Sequence, residues 1–164
     1  MFSFPNPVNE VAARTVAAGV VVMSLATLLL SLANSGFLWL TVPIAYGFVA
    51  RVLNGPRWSP LGLFATRIAA PRLGHEKLVA GPPKRFAQGI GAVVTTAAVV
   101  LVGLGALGAA QVLLGLMVVF ATLESAFALC VGCKAFAGLM RLGLIPEETC
   151  EACNNISLRT PQVA

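Results

Sequence analysis

Four runs of apolar residues divide the chain, at 11–33, 37–53, 86–107 and 111–133. The first carries one charge, Arg14, near its start. As a helix at 1.5 Å per residue it would reach roughly 35 Å, more than the about 30 Å hydrocarbon core of a bilayer. Asn34-Ser35-Gly36 breaks this run and the second begins at once, which predicts an antiparallel hairpin. Pro43, inside the second run, is a candidate kink of the sort that membrane helices tolerate. Gly108-Ala109-Ala110 separates the third and fourth runs in the same way, so the pattern predicts a second hairpin laid out like the first. Residue identity between the two halves is too slight for a duplication.

Residues 54–85 differ in kind. Asn54-Gly55-Pro56, Ser59-Pro60, Pro71 and Gly81-Pro82-Pro83 punctuate the segment. Ser59 as N-cap with Pro60 in the first turn predicts a short helix that Pro71 would end. Leu61, Phe64 and Ile68 fall on one face of that helix, with Trp58 just before it, as expected of an amphipathic helix lying in the membrane interface. The predicted fold class is therefore all-α: a polytopic membrane protein with four transmembrane helices in two hairpins, a cytoplasmic amphipathic connector and a short C-terminal helix. One membrane domain over residues 1–156 and a flexible tail over 157–164 complete the expected organisation.

Composition agrees with a bilayer environment. Of 164 residues, 58% are hydrophobic and 10% charged, with mean hydropathy +0.89; a soluble domain uses about 25% charged residues. The formal net charge of +5 is unevenly placed. Arg51, Arg57, Arg67, Arg72, Lys77, Lys84 and Arg85 gather around the connector against the single acid Glu76, and both hairpin loops are uncharged. The positive-inside rule then predicts a cytoplasmic connector and both termini on the cytoplasmic side of a bacterial inner membrane. Attraction to anionic head groups accounts for the basic segment, and the exposed aromatics and soluble domain that nucleic-acid binding would want are missing. No basic region or small-residue cleavage site precedes Arg14, so the first run is expected to be retained.

The chain's four cysteines lie within the last 35 residues, as Cys130-Val-Gly-Cys133 and Cys150-Glu-Ala-Cys153. With Cys130 and Cys133 on the last turn of span four, i,i+3 spacing would put both thiols on one face. Ile145-Pro146-Glu147-Glu148 resembles a helix start that would pair Cys150 with Cys153 similarly. Three readings stay open. The two pairs could exchange electrons or sulfur by thiol chemistry, with a thioredoxin-like cytosolic partner. All four could bind zinc or an iron–sulfur centre in a non-enzymatic membrane scaffold, where the metal would fold a docking knob, since C-x2-C-x16-C-x2-C falls inside the four-thiolate spacing. They could also be small apolar residues at a helix end. Lys134 beside Cys133 would favour a thiolate there, whereas Glu147, Glu148 and Glu151 would disfavour one at the second pair. That asymmetry favours redox or sulfur handling over structural zinc, and no cofactor is required by it.

Glu124 is the one acid inside the fourth run, and intramembrane acids are functional candidates. The blander expectation is a hydrogen bond to Thr95, Thr96 or Ser125. Six residues from Cys130 is about 240° around a continuous helix, which argues against a direct proton relay between them. His75 is the sole histidine and reads as a solvated loop residue; with no Asp in the chain, Ser-His-Asp catalysis is excluded. Gly103, Gly105 and Gly108 are expected to serve helix packing. A small transporter using Glu124 is disfavoured by the scarcity of polar residues, unless the protein is a homo-oligomer.

Four strings, taken together, resemble a known family: Phe4-Pro5-Asn6-Pro7-Val8-Asn9-Glu10, Gly55-Pro56-Arg57-Trp58-Ser59-Pro60-Leu61, Gly81-Pro82-Pro83-Lys84-Arg85-Phe86-Ala87-Gln88, and the terminal double CxxC. They are similar to the bacterial membrane family of unknown function DUF4395, over about residues 4–156. The resemblance confers no activity. It implies relatives among thioredoxin-like and rhodanese-like sulfur-transfer proteins, which adds to the redox or sulfur reading.

Overall fold

The computed structural model describes residues 5–73, 78–146 and 149. Among these residues four helical stretches are long and apolar enough to cross a membrane: α1 (Glu10–Ala33), the stretch Ser35–Leu73 that contains α2 (Thr41–Asn54), α5 (Gly81–Gly103) and α6 (Leu107–Phe127). The chain is an all-α polytopic membrane protein. Between α2 and α5 lie the short helices α3 (Pro60–Phe64) and α4 (Ala70–Leu73), joined by a π-helical turn, Ala65–Ala69. A final helix, α7 (Val131–Arg141), follows α6. The two-residue strands β1 (Val8–Asn9) and β2 (Leu78–Val79) pair antiparallel and tie the amino-terminal segment to the connector.

Helix starts follow from local chemistry. The Asn9 side chain accepts from the N–H groups of Val11 and Ala12, satisfying two of the donors that the first turn of α1 leaves free. Asn6 does the same for α5 from far along the chain, accepting from the Gly81 N–H at 3.0 Å. A Cβ on Gly81 would lie 2.6 Å from the Pro5 carbonyl oxygen, so this close approach demands glycine. The Asn6-Pro7-Val8-Asn9 string is thus a double helix cap.

The bundle is held by small and apolar residues at heptad-like spacing. On α6 the buried positions Ala110, Leu114, Met117 and Ala121 face the buried stripe of α1, which includes Val16, Val20, Ser24, Thr27 and Ser31. Gln111 donates to Ser31 Oγ across this seam, an interhelical bond suited to an apolar surround. The helix α2 packs mainly on α5, where Gly91 lies so close to the Phe48 ring that a Cβ would collide with it. Because α1 packs chiefly on α6 and only slightly on α2, the first hairpin is splayed and the second spans its gap. Many outward residues are large and apolar, among them Val22, Leu29, Val93 and Val119, as lipid-facing positions require.

Several expectations are corrected. The third span begins five residues earlier than 86 because Pro82 and Pro83 occupy the first turn of α5, where a missing N–H does no harm. Gly108 to Ala110 lie inside α6; the turn is made by Leu104–Ala106, with Gly105 at φ 77°. A Cβ at Gly105 or Gly108 would meet nothing within 4 Å, and one at Gly103 only Trp39 at 3.9 Å, so these three do not mediate close packing. Gly19, Gly91 and Gly132 do. Pro43 sits in the first turn of α2, where its missing N–H breaks no bond within that helix, and not in a helix interior where it would force a kink.

Ser59 caps α3 as expected, accepting from Gly62 N–H, but the helical path runs past Pro71 to Leu73. The π turn at Ala65–Ala69 absorbs the hydrogen bond that Pro71 cannot donate. Here Gly62, Ala65, Ala69 and Ala70 face inward, and Phe64, Ile68 and Trp58 are exposed. The expected apolar face therefore divides: Leu61 packs into the bundle and its neighbours turn outward.

Candidate functional site

The heptad phase of α2, α5 and α6 brings polar or charged side chains inward at the same end of the bundle. On α2, Ile44, Phe48 and Arg51 follow one face; on α5, Lys84, Gln88 and Gly91; on α6, Met117, Ala121 and Glu124. At this end, Lys84 donates to Glu124, both side chains being almost enclosed. Gln88, one turn along α5 from Lys84, accepts from Arg51 Nε at 2.8 Å. Arg51 Nη1 donates to Ser59 Oγ at 3.0 Å, and the guanidinium lies 4.6 Å from the centre of the Phe48 ring. A polar layer thus closes one end of an otherwise apolar core.

The expected continuation of span four through Cys133 does not occur. The α6 helix ends at Phe127, and Ala128 takes the left-handed conformation at φ 54°. The carbonyls freed at this end accept from Arg14 of α1, whose Nε reaches Ser125 O at 3.0 Å and whose Nη2 reaches Ala126 O at 3.2 Å. After this break the chain enters α7, which packs on α5. Gly132 lies so close to Ala87 that a Cβ would approach its Cβ to 2.5 Å, and the Phe86 and Phe136 rings meet at 5.6 Å.

Cys130 is consequently the N-cap of α7 rather than part of the last turn of a span. Its sulfur accepts from the Cys133 N–H at 3.3 Å, and both cysteines are free thiols, half-buried. The break also overturns the helical argument that separated Glu124 from Cys130. Both line one cavity of about 140 Å³, with Lys84, Gln88 and Gly132, beneath the ends of α5 and α6. Glu124 pairs with Lys84 and not with Thr95, which bonds within its own helix, or with Ser125, which donates to Thr122 O. The other carboxylate oxygen of Glu124 is buried and without a hydrogen-bond partner.

The two thiols ionise as a unit. The hydrogen bond from Cys130 lowers the pKa of Cys133 below the ordinary thiol value, helped by the charge of Lys84 and opposed by burial and by Glu124. The same hydrogen bond, together with burial and the charge on Cys133, pushes Cys130 up. One proton therefore leaves the pair readily and the second is retained. Lys134, expected from sequence to be the activating cation, is exposed, and Lys84 takes that role from 49 residues upstream, counting from 84 to 133.

Cys150 and Cys153 lie outside the described residues, as do His75, Glu147, Glu148 and Glu151. Among the described residues no three of His, Cys, Asp or Glu are grouped as metal ligands. The Arg51–Gln88–Lys84 layer was missed because Arg51 and Lys84 look like head-group charges when connector composition is read alone. The signal was present in the unbroken inward phase from Phe48 to Arg51 and from Lys84 to Gly91.

These features define a polytopic membrane protein with a dithiol at one end of its bundle. The family described as Domain of unknown function (DUF4395) matches residues 8–141, and the chain belongs to it. The matched region contains Cys130 and Cys133 and ends before Cys150 and Cys153. No curated protein and no solved structure matches the chain.

Proposed function

We propose that this chain is a membrane-embedded thiol protein that passes electrons or sulfane sulfur at the cytoplasmic face through its CxxC pairs. The observation that carries the reading is Cys130 capping α7 beside the buried Lys84–Glu124 pair, with Cys133 favoured as thiolate. Reactive cysteines are found at helix starts and next to cations, in partly exposed sites. The gathering of Arg14, Arg51, Lys84, Arg85 and Lys134 at this end supports a cytoplasmic orientation of the site in a bacterial inner membrane, with both termini on that side.

In the electron-transfer form, the Cys133 thiolate attacks one sulfur of a partner disulfide. That S–S bond breaks, a mixed disulfide forms, and the departing partner thiolate takes up a proton. Cys130 then loses its proton and attacks Cys133, forming the Cys130–Cys133 disulfide and releasing the second partner thiolate, which is protonated. Two electrons pass from the pair to the partner. The partner class is a thioredoxin-like or rhodanese-like cytosolic protein, and Cys150 with Cys153 would relay reducing equivalents to the membrane pair.

Trapping tests this assignment. Cys130→Ser should accumulate a mixed disulfide with a disulfide-bearing thioredoxin-like protein, because the resolving thiol is gone. Cys133→Ser should abolish it, and His75→Ala should leave it unchanged. Equal trapping by Cys130→Ser and by the Cys130→Ser/Cys133→Ser double variant would remove Cys133 from the role.

A further inference from the structure

Among the described residues, Arg51 has no anion to answer its charge. It is 5% exposed, and its polar neighbours are neutral: Gln88 on Nε and Ser59 on Nη1. Its Nη2 is buried without a hydrogen-bond partner, and among the described residues no carboxylate pairs with it. Arginine keeps its proton at neutral pH. An enclosed guanidinium held by neutral groups and an aromatic face is a cation awaiting a counter-charge.

Arg51 also lines a cavity of about 260 Å³ between α1, α3 and α5. About 10–15 Å³ of such space admits one water, so a polyatomic ion fits. Lys84 is a second cation on its wall; one of its three donors is committed to Glu124. Asn9, Thr66 and Gln88 add polar groups, and among the described residues no Asp or Glu lines it. This chemistry is complementary to an oxyanion bearing several acceptor oxygens, for which the fork of arginine is well matched. The surrounding end of the bundle is rich in Arg and Lys, which concentrates such groups there.

We infer that this cavity binds a phosphate-type oxyanion, with Arg51 as the principal charge and Lys84 as the second. Its source is either the phosphodiester of an anionic lipid or a free anion, and the cavity chemistry is the same for both. The site is separate from the thiol cavity, although Lys84 and Gln88 form part of the wall of each.

The test uses the full chain in neutral detergent without phosphate, with thermal unfolding followed against added inorganic phosphate or phosphatidylglycerol. Sodium chloride of equal ionic strength and phosphatidylcholine serve as controls. Wild type should show a saturable rise in Tm with one of the two probes, at one ligand per chain by native mass spectrometry. Phosphate activity marks a soluble-anion site; activity of phosphatidylglycerol alone marks a head-group site. Arg51→Gln should weaken the response at least tenfold. Thr66→Trp should do the same by filling the cavity, and decides the matter if Arg51→Gln does not fold. Thr66 is exposed and its hydroxyl bonds only to Gly62 and Leu63 carbonyls, so this change spares the fold. No response in wild type to either probe, or an undiminished response in Thr66→Trp, overturns the inference.

Discussion

Lys84, in the first turn of α5, donates a hydrogen bond to Glu124, in the last turn of α6, with side chains only 11% and 13% exposed. These two charges flank the thiol pair and act on it with opposite sign. Lys84 favours the Cys133 thiolate and Glu124 disfavours it.

The pH dependence of Cys133 alkylation follows from those signs. A thiol whose pKa is lowered reacts at lower pH, so in wild type the rate should reach half its plateau below the ordinary thiol value. Lys84→Met removes the favourable cation and leaves Glu124 unanswered, so the midpoint should move up. Glu124→Gln removes the opposing charge, so the midpoint should move down. Iodoacetamide labelling across pH, with Cys130 replaced by Ala in a parallel series to remove the thiol donor, measures each shift. Cys130→Ala alone should raise the midpoint. Opposite movement in the Lys84 and Glu124 variants would refute the electrostatic assignment.

Ala128 holds a conformation that disfavours an L side chain by roughly 1–2 kcal/mol. Ala128→Gly should therefore stabilise the fold by about 1 kcal/mol while keeping the thiols in place. Ala128→Val should do the reverse, since a branched side chain is least tolerant of positive φ. Unfolding titrations in mixed micelles read both.

Gly132→Ala forces a methyl group against Ala87 and should push α7 away from α5. Overpacking of this kind typically costs about 1–3 kcal/mol. The separation should also weaken the influence of Lys84, so the Cys133 alkylation midpoint should rise together with the loss of stability. Phe136→Ala, which removes a buried ring from the same contact, should lower stability by about 3 kcal/mol with a similar upward shift.

Asn6→Ala should cost about 1 kcal/mol, because the Gly81 N–H loses its acceptor at the start of α5. Asn6→Asp retains the acceptor and should recover most of that loss. The same unfolding titration distinguishes the pair.

Long apolar runs made the spanning helices legible in sequence, and α1 begins and ends within one residue of the expected limits. Ends governed by distant groups were not legible. Nothing local to residues 128–133 shows that Arg14 will cap α6, so the fourth helix was carried through both cysteines. Likewise Lys134 lies beside Cys133 in sequence, while the cation that reaches the thiols comes from the first turn of α5. Glu124 was visible as an unusual acid, but its partner depends on how α5 and α6 are aligned. The capping roles of Ser59 and Pro60 were readable because they are settled within four residues.

The central claim is that Cys130 and Cys133 form a reversible dithiol. The most direct test is metal content together with free-thiol count on the full chain, purified anaerobically in mild detergent, through one cycle of oxidation and reduction. The account predicts no stoichiometric metal and a two-electron cycle in which Cys130 and Cys133 lose and regain their thiols. One zinc or iron centre per chain with masked thiols, or thiols that remain reduced under oxidant, would contradict it.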